Sequence, residues 1–427
     1  MTTLVGVLFG LAPGLHRAHA TSPAMHDTGR GSVRGGMRAR GALVVAEVAL
    51  ATVLLVCTGL LTRSAERIFS QPLGFEPSGV AVMKVYGTGL ERGDLVTHRF
   101  FDEALEAVRG VPGVVSASMT SQLPLSGDGD VYGVVPDDPN VVEGTLGPAA
   151  RYAVAPGYLA TMGVPLLRGR WFDSTDGEGA PRVAMVSRSL ARRLFPDGEA
   201  LGRRVRAGAV ELDPYTVVGV VEDVKHFSLA EASSEAVYIP NHQWHWADRV
   251  RWVVVRAEAD ATGLIPGIRR AIWSADPNQP ITRAQSMETV VANSEARRRF
   301  VLMVLSCFAF SALAVCVVGL FGVLSGSVTE RTREMGVRAA LGASPERNVR
   351  MVVRQGLAMA GAGLVIGAVV AASLSGALSS MLFETTRLDP VTYLAVIALL
   401  GVGAGIASLM PALRAGRADP VDALRAQ

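Results

Sequence analysis

The chain has 427 residues, 49% of them hydrophobic and 19% charged, with a formal net charge of +3. At a mean hydropathy of +0.32 it is too apolar for an ordinary soluble protein and too charged to lie wholly in a membrane, so membrane spans joined to a soluble part are expected. The arginines cluster beside apolar runs rather than on one polar patch, which gives nucleic-acid binding little support.

At the N-terminus, Leu4 to Leu15 is an apolar run of only about a dozen residues, short of the roughly 20 needed to cross the hydrocarbon. Ala18-His19-Ala20 imitates a small-x-small cleavage site, but no Lys or Arg precedes the run as it would in a secretory leader. The stretch from Leu8 to Asp27 instead echoes Ile406 to Leu424, with Pro13 opposite Pro411 and Leu15 opposite Leu413. The expectation is a truncated stub of a helix matching the last span, the chain being the second half of a duplicated membrane protein or a gene cut from one. Residues 1–40 then comprise this stub and a basic arm carrying Arg30, Arg34, Arg38 and Arg40.

Four membrane helices follow: 41–61, 300–325, 355–382 and 391–413. Arg331, Arg333, Arg338, Arg347, Arg350 and Arg354 fill the connection after the second, and Arg414, Arg417 and Arg425 follow the fourth. By the positive-inside rule the N-terminal arm, the 329–354 link and the 414–427 tail are cytoplasmic, and 67–299 lies outside. Arg297, Arg298 and Arg299 run against this, but long loops translocate largely regardless of charge. Glu47 sits inside the first span, where a carboxylate is costly and by default functional, unless it snorkels to the nearby interface. Gly322 and Gly326, Gly363 and Gly367, and Gly401 and Gly405 each form a GxxxG that lets helices approach closely, for packing within the chain or for a dimer seam.

The external segment alternates short β-branched runs with amphipathic stretches. Val80 to Val85, Val114 to Met119, Val183 to Ser187, Tyr215 to Val221 and Trp252 to Ala257 read as strands; His98 to Val108, Arg188 to Leu194 and Leu264 to Ser274 read as helices. Ser126 to Gly144 and Ser174 to Pro181 read as loops. The fold expected is a multi-span α-helical membrane protein, with a four-helix core and an inserted extracytoplasmic α+β domain in two lobes. Cys57, Cys307 and Cys316 all fall in spans, so that domain folds without disulfides.

The segment Thr329 to Ala343, TERTREMGVRAALGA, is the candidate coupling element. As a helix it places Arg331, Glu334 and Arg338 on one face, with Glu334 and Arg338 an i, i+4 ion pair. Met335, Ala339 and Leu341 supply a small apolar surface, and Gly342 can end the helix in a left-handed turn. Ser344, Pro345 and Glu346 then start the next helix as N-cap, N1 and N2. The plainer reading of the same residues is an interfacial topology anchor.

The chain resembles the permease subunits of FtsX-like and MacB-like (macrolide-exporter) ABC transporters. The resemblance rests on the order of one span, a large external domain and three spans. It rests also on Arg331 to Ala343, Gly41 to Val56, Pro411 to Arg425, and, in the external domain, Pro156 to Phe172 and Tyr215 to Val224. It implies a MacB-like periplasmic core domain at 67–299, an FtsX-like permease domain at 300–420 and a bacterial inner-membrane location. It further implies that Glu330, Arg331, Arg333, Glu334, Met335, Gly336, Arg338, Leu341 and Gly342 meet a separate ABC ATPase. ATP and Mg would be bound by that ATPase, with no cofactor on this chain. A second permease, as homodimer or fused half, and a periplasmic adaptor are the further implied partners.

The only lysines, Lys84 and Lys225, lie outside any P-loop context, so energy must come from another subunit. No nucleophile, base and orienter set stands out, and the chain is not expected to be an enzyme. Asp128 and Asp130 read as a solvated turn before a cation loop, and His242 and His245 as a surface or inter-lobe contact before a metal site. The expected function is mechanotransmission for efflux or export. The alternatives are an FtsX-like scaffold that activates a cell-wall hydrolase, or an inactive half-permease.

Overall fold

The computed structural model describes residues 31–87, 94–138, 147–208, 213–231, 235–330, 345–376, 386 and 388–416. They fall into two compact units, one built from the membrane helices and one from residues 57–307 with 375–389. The N-terminal stub and its echo of the last span lie outside the described residues.

In the helical unit, α1 (Gly31–Phe69), α7 (Ala296–Glu330), α8 (Pro345–Leu374) and α9 (Pro390–Gly416) supply four helices long and apolar enough to cross a membrane. Ala51, Ala360, Ala404 and Ala407 are buried with Val48, Leu320 and Leu324, while Phe308, Phe310, Val318, Val369 and Ile406 are exposed. Large apolar groups on the outside suit a hydrocarbon surround, in which close packing rather than apolar burial holds helices together. Several helix ends differ from the expected spans. The first helix continues past Leu61 to Phe69, and the third begins at Pro345 and ends at Leu374, so residues 345–354 of the expected link form its opening turns.

The second unit is an α/β domain around one mixed 11-stranded sheet of order β11-β1-β10-β2-β4-β3-β7-β8-β6-β9, with β5 on β8. The strands are β1 (Val80–Tyr86), β2 (Val114–Thr120), β3 (Val131–Pro136), β4 (Gly147–Val154), β5 (Leu166–Gly169), β6 (Val183–Ser187), β7 (Arg204–Ala207), β8 (Tyr215–Val221), β9 (Ala236–Pro240), β10 (Val250–Ala257) and β11 (Ile281–Ser286). Between β1 and β2 runs α2 (Asp94–Arg109), but β10 pairs antiparallel with both, so the β-α-β unit is split by a later strand. Strand β9 returns to pair parallel with β4, which closes a ring through β3, β7, β8 and β6.

Both faces of the central strands are covered, which explains their unbroken apolar runs. Along β10, Trp252 and Val254 enter the core that holds Tyr152 and Tyr238. Val253 and Val255 enter the opposite core, with Phe101 of α2 and Ile268 and Ile272 of α5 (Ile265–Ala275). The helix expected from Leu264 divides: a 3-10 turn, Ala261–Leu264, capped by Asp260, precedes α5. Inside the expected Ser126 to Gly144 loop lies β3, held by β4 on one side and β7 on the other. The expected two lobes share one continuous sheet. Short helices α3 (Tyr158–Thr161), α4 (Arg188–Leu194) and α6 (Met287–Ser294) complete the domain, and Glu295 alone separates α6 from α7.

Candidate functional site

The coupling element is bounded on both sides. Helix α7 ends at Glu330, which is exposed, and α8 begins at Pro345 with Glu346 in its first turn. An acidic first turn complements the partial positive charge of a helix N-terminus. Arg331, Arg333, Glu334, Met335, Gly336, Arg338, Leu341 and Gly342 lie outside the described residues.

The helix contacts are legible one glycine at a time. A Cβ on Gly363 would stand 2.5 Å from Val48 Cβ and 2.7 Å from the Val45 carbonyl oxygen; one on Gly367 would stand 2.5 Å from Thr52 Cβ and 2.6 Å from the Ala49 oxygen. These two glycines therefore seat α8 directly on the α1 backbone. Around Gly322, Gly326, Gly401 and Gly405 an added Cβ meets nothing within 4 Å, so those pairs take no part in contacts among the described residues. Glu47 faces Gly319, where a Cβ would meet its carboxylate, and Glu47 Oε2 has no hydrogen-bond partner among the described residues. The Thr52 hydroxyl, one turn on from Val48, donates to the Val48 carbonyl at 2.7 Å, satisfying itself within α1.

In the external domain the acidic pair of the SGDGD turn is held by cations of the chain itself. Asp128 accepts from Lys84 Nζ at 2.7 Å and from Trp252 Nε1 at 2.6 Å. Burial would raise its carboxyl, but these bonds and the Lys84 charge outweigh that and hold it below the usual carboxylate range. Asp130 accepts from Arg151 Nε at 2.8 Å, and Asp248 accepts from Arg151 Nη1 at 3.1 Å. Arg151 is 2% exposed, and its guanidinium also lies 4.6 Å from the Trp244 ring centroid. Burial opposes its charge, yet the two carboxylates dominate and keep it protonated. Asp128 and Asp130 are thus each paired with a cation inside the fold.

The two histidines part company. His242 stacks on His98 at 4.4 Å, and its Nε2 lies 3.2 Å from Asp102 Oδ1, while His245 packs against Trp244 and Trp246 at 4.2 and 4.0 Å. Among the described residues no group of three His, Cys, Asp or Glu side chains converges as a metal site. Arg251 donates to His98 Nδ1 at 3.2 Å and lies over Phe101 at 4.5 Å. Burial, then the Arg251 charge, push His98 down to about 4, and burial lowers Arg251 to about 10. Arg151 and Arg251 were not among the residues that sequence reasoning picks out. The available signal was an arginine inside an apolar strand run, GPAARYAV and VRWVVVRA, since a buried arginine requires built partners.

Four helices long and apolar enough to span a membrane, with an α/β domain inserted between the first and second, mark a multi-pass membrane protein. The chain belongs to the MacB-like and FtsX-like ABC transporter permease family: the MacB-like periplasmic core domain matches residues 42–264, more than half of the chain, and the FtsX-like permease C-terminal domain matches residues 306–420. The uncharacterized ABC transporter permease YvrN of Bacillus subtilis is 23% identical over 287 residues, 64% of this chain and 69% of that protein. The macrolide export ATP-binding/permease protein MacB of Chromobacterium violaceum is 27% identical over 341 residues, 76% of this chain and 50% of that protein. The MacB of Neisseria meningitidis serogroup B is 25% identical over 291 residues, 65% of this chain and 43% of that protein. The chain thus spans about half the length of these MacB relatives. Among solved structures it is similar to the periplasmic region of MacB from Actinobacillus actinomycetemcomitans, at 15% identity and a TM-score of 0.36, covering 54% of this chain and 98% of that one.

Proposed function

We propose that the chain is the permease subunit of a MacB/FtsX-type ABC transporter, sited in the bacterial inner membrane with residues 67–299 outside. On this reading a separate ATPase binds ATP and Mg, docks on the link between α7 and α8, and drives motion of the helices that reaches the external domain for efflux or export. The observation that carries it is the seating of α8 on α1 at Gly363 and Gly367. Displacement at the start of α8 then passes by backbone contact to α1, the helix that leads into the external domain. The arginine-rich link supports the cytoplasmic placement, and the absence of a P-loop in this chain calls for an ATPase from elsewhere. The chain acts as a transmitter and not as an enzyme, paired with a second permease and with an adaptor outside.

The test co-expresses the full chain with the ATPase of its own operon in lipid nanodiscs. Glu334→Arg and Arg338→Glu, alone and together, should abolish co-purification of the ATPase or uncouple its turnover while leaving the permease folded. Unchanged assembly and turnover in the double variant would sink the coupling assignment.

A further inference from the structure

Outside the polar clusters already described, the external domain has a cleft of about 410 Å3 between the turn after β2, Phe227, strand β11 and helix α6. Its volume falls within the roughly 300–1,000 Å3 usual for ligand sites. Two observations set it apart. Among the described residues, the non-glycine positions with left-handed backbone are Leu125, φ 60°, and Arg283, φ 48°, and both line this cleft. Neither position is taken by glycine, which would adopt that conformation freely, and strained residues of this kind persist where a particular side chain is needed at a site. At Arg283 the β1–β11 register shifts, and such a bulge re-aims a side chain.

The second observation is the chemistry of the lining. Arg283 is the single charged residue lining the cleft. Its Nη1 donates to the Ser126 carbonyl oxygen at 3.1 Å, and no carboxylate pairs with it among the described residues. A guanidinium held by one nitrogen keeps a second edge, Nε and Nη2, whose spacing matches a planar two-oxygen anion. Gln285 and Asn293 offer primary amides, which match both halves of a peptide group. Phe227, 43% exposed, and Val290 supply the apolar surface.

We infer that this cleft binds the free C-terminal end of an extended peptide, with the terminal carboxylate on Arg283, a peptide group on Gln285 and Asn293, and an apolar last side chain against Phe227. The site stands independently of the transport reading. Because Asn293 lies on α6, joined to α7 through Glu295 alone, an occupied cleft grips the helix that continues into the second span.

The experiment uses the full chain in lipid nanodiscs and a fluorescein-labelled trialanyl-leucine, as free acid and as C-terminal amide, read by fluorescence polarisation. The free acid should bind about tenfold or more tightly than the amide, the loss expected when a charge-assisted bidentate contact is removed. Arg283→Gln should lose binding to the same extent, and Arg283→Lys should retain part of it. Arg283→Gly should lose binding while its thermal unfolding midpoint holds or rises, since glycine relieves the left-handed backbone. Equal binding of acid and amide, no binding at millimolar peptide, unaffected binding in the Arg283 variants, or a lowered midpoint in Arg283→Gly would each overturn the assignment.

Discussion

The contact between α8 and α1 makes a prediction whose sign differs from glycine to glycine. An alanine methyl at Gly363 would sit 2.5 Å from Val48 Cβ and 2.7 Å from the Val45 oxygen, and one at Gly367 would sit 2.5 Å from Thr52 Cβ. Carbon atoms in contact prefer about 3.5–4.0 Å, so the helices must part by roughly 1 Å. The obstructing atoms are backbone or β-carbons and cannot swing aside. Val48, 0% exposed, lies in the same core as Val44 and Ala51, and moving it opens a gap there. Overpacking of this kind costs about 1–3 kcal/mol, and the better helix propensity of alanine returns up to about 1 kcal/mol. We expect Gly363→Ala and Gly367→Ala each to destabilise the chain by roughly 1–2 kcal/mol. Gly322→Ala and Gly401→Ala, with nothing within 4 Å, should be neutral or stabilising. Gly319→Ala should fall between, because the atom it meets is the movable carboxylate of Glu47. Unfolding of the purified protein in mixed micelles by SDS titration, followed by circular dichroism, measures the series. If Gly363→Ala and Gly367→Ala prove as stable as Gly322→Ala and Gly401→Ala, the close seating of α8 on α1 is wrong, and with it the proposed path for motion.

Arg151→Met should destabilise the external domain by about 3 kcal/mol by stranding two carboxylates, the lower end of the range because Asp130 keeps a 29% exposed side chain; adding Asp130→Asn and Asp248→Asn should restore most of it, as limited proteolysis in urea would show. An unfolded histidine titrates near 6.5 and folded His98 near 4, so between those values the unfolded chain binds the extra proton. Stability is therefore complete above about pH 6.5 and falls by roughly 1–2 kcal/mol, allowing for solvent screening, as the pH drops toward 4. The difference in thermal midpoint between the parent and His98→Gln should be constant above about pH 6.5 and shift against the parent as the pH falls from there toward 4; parallel curves through that window would remove His98 as the cause. Glu47→Leu should raise the midpoint by about 1 kcal/mol equivalent, since it deletes a carboxylate oxygen with no partner among the described residues, and a lowered midpoint would mean that Glu47 holds a stabilising contact.

Much of the plan was readable in the linear chain because the deciding physics there is local. Apolar length alone marks a helix able to span a membrane, and β-branched runs such as Val183 to Ser187 and Tyr215 to Val221 coincide with β6 and β8. Strand β3 escaped notice since Gly and Asp residues on either side read as loop, and its pairing with β4 and β7 joins segments distant in sequence.

The site details belong to the tertiary structure for the same reason. Each GxxxG looks alike as a string, yet only Gly363 and Gly367 meet another backbone among the described residues, because which face of a helix is covered depends on its neighbours. Asp128 and Asp130 read on paper as a solvated turn until β1 brings Lys84 and β4 brings Arg151 to them. The order of the apolar helices, the domain inserted between the first and second and the family were thus legible in the sequence itself, through length, hydropathy and motif. Pairing across distance, the partners of buried charges and the cleft at Arg283 were decided by the fold, since contacts between remote segments leave no periodic trace in the chain.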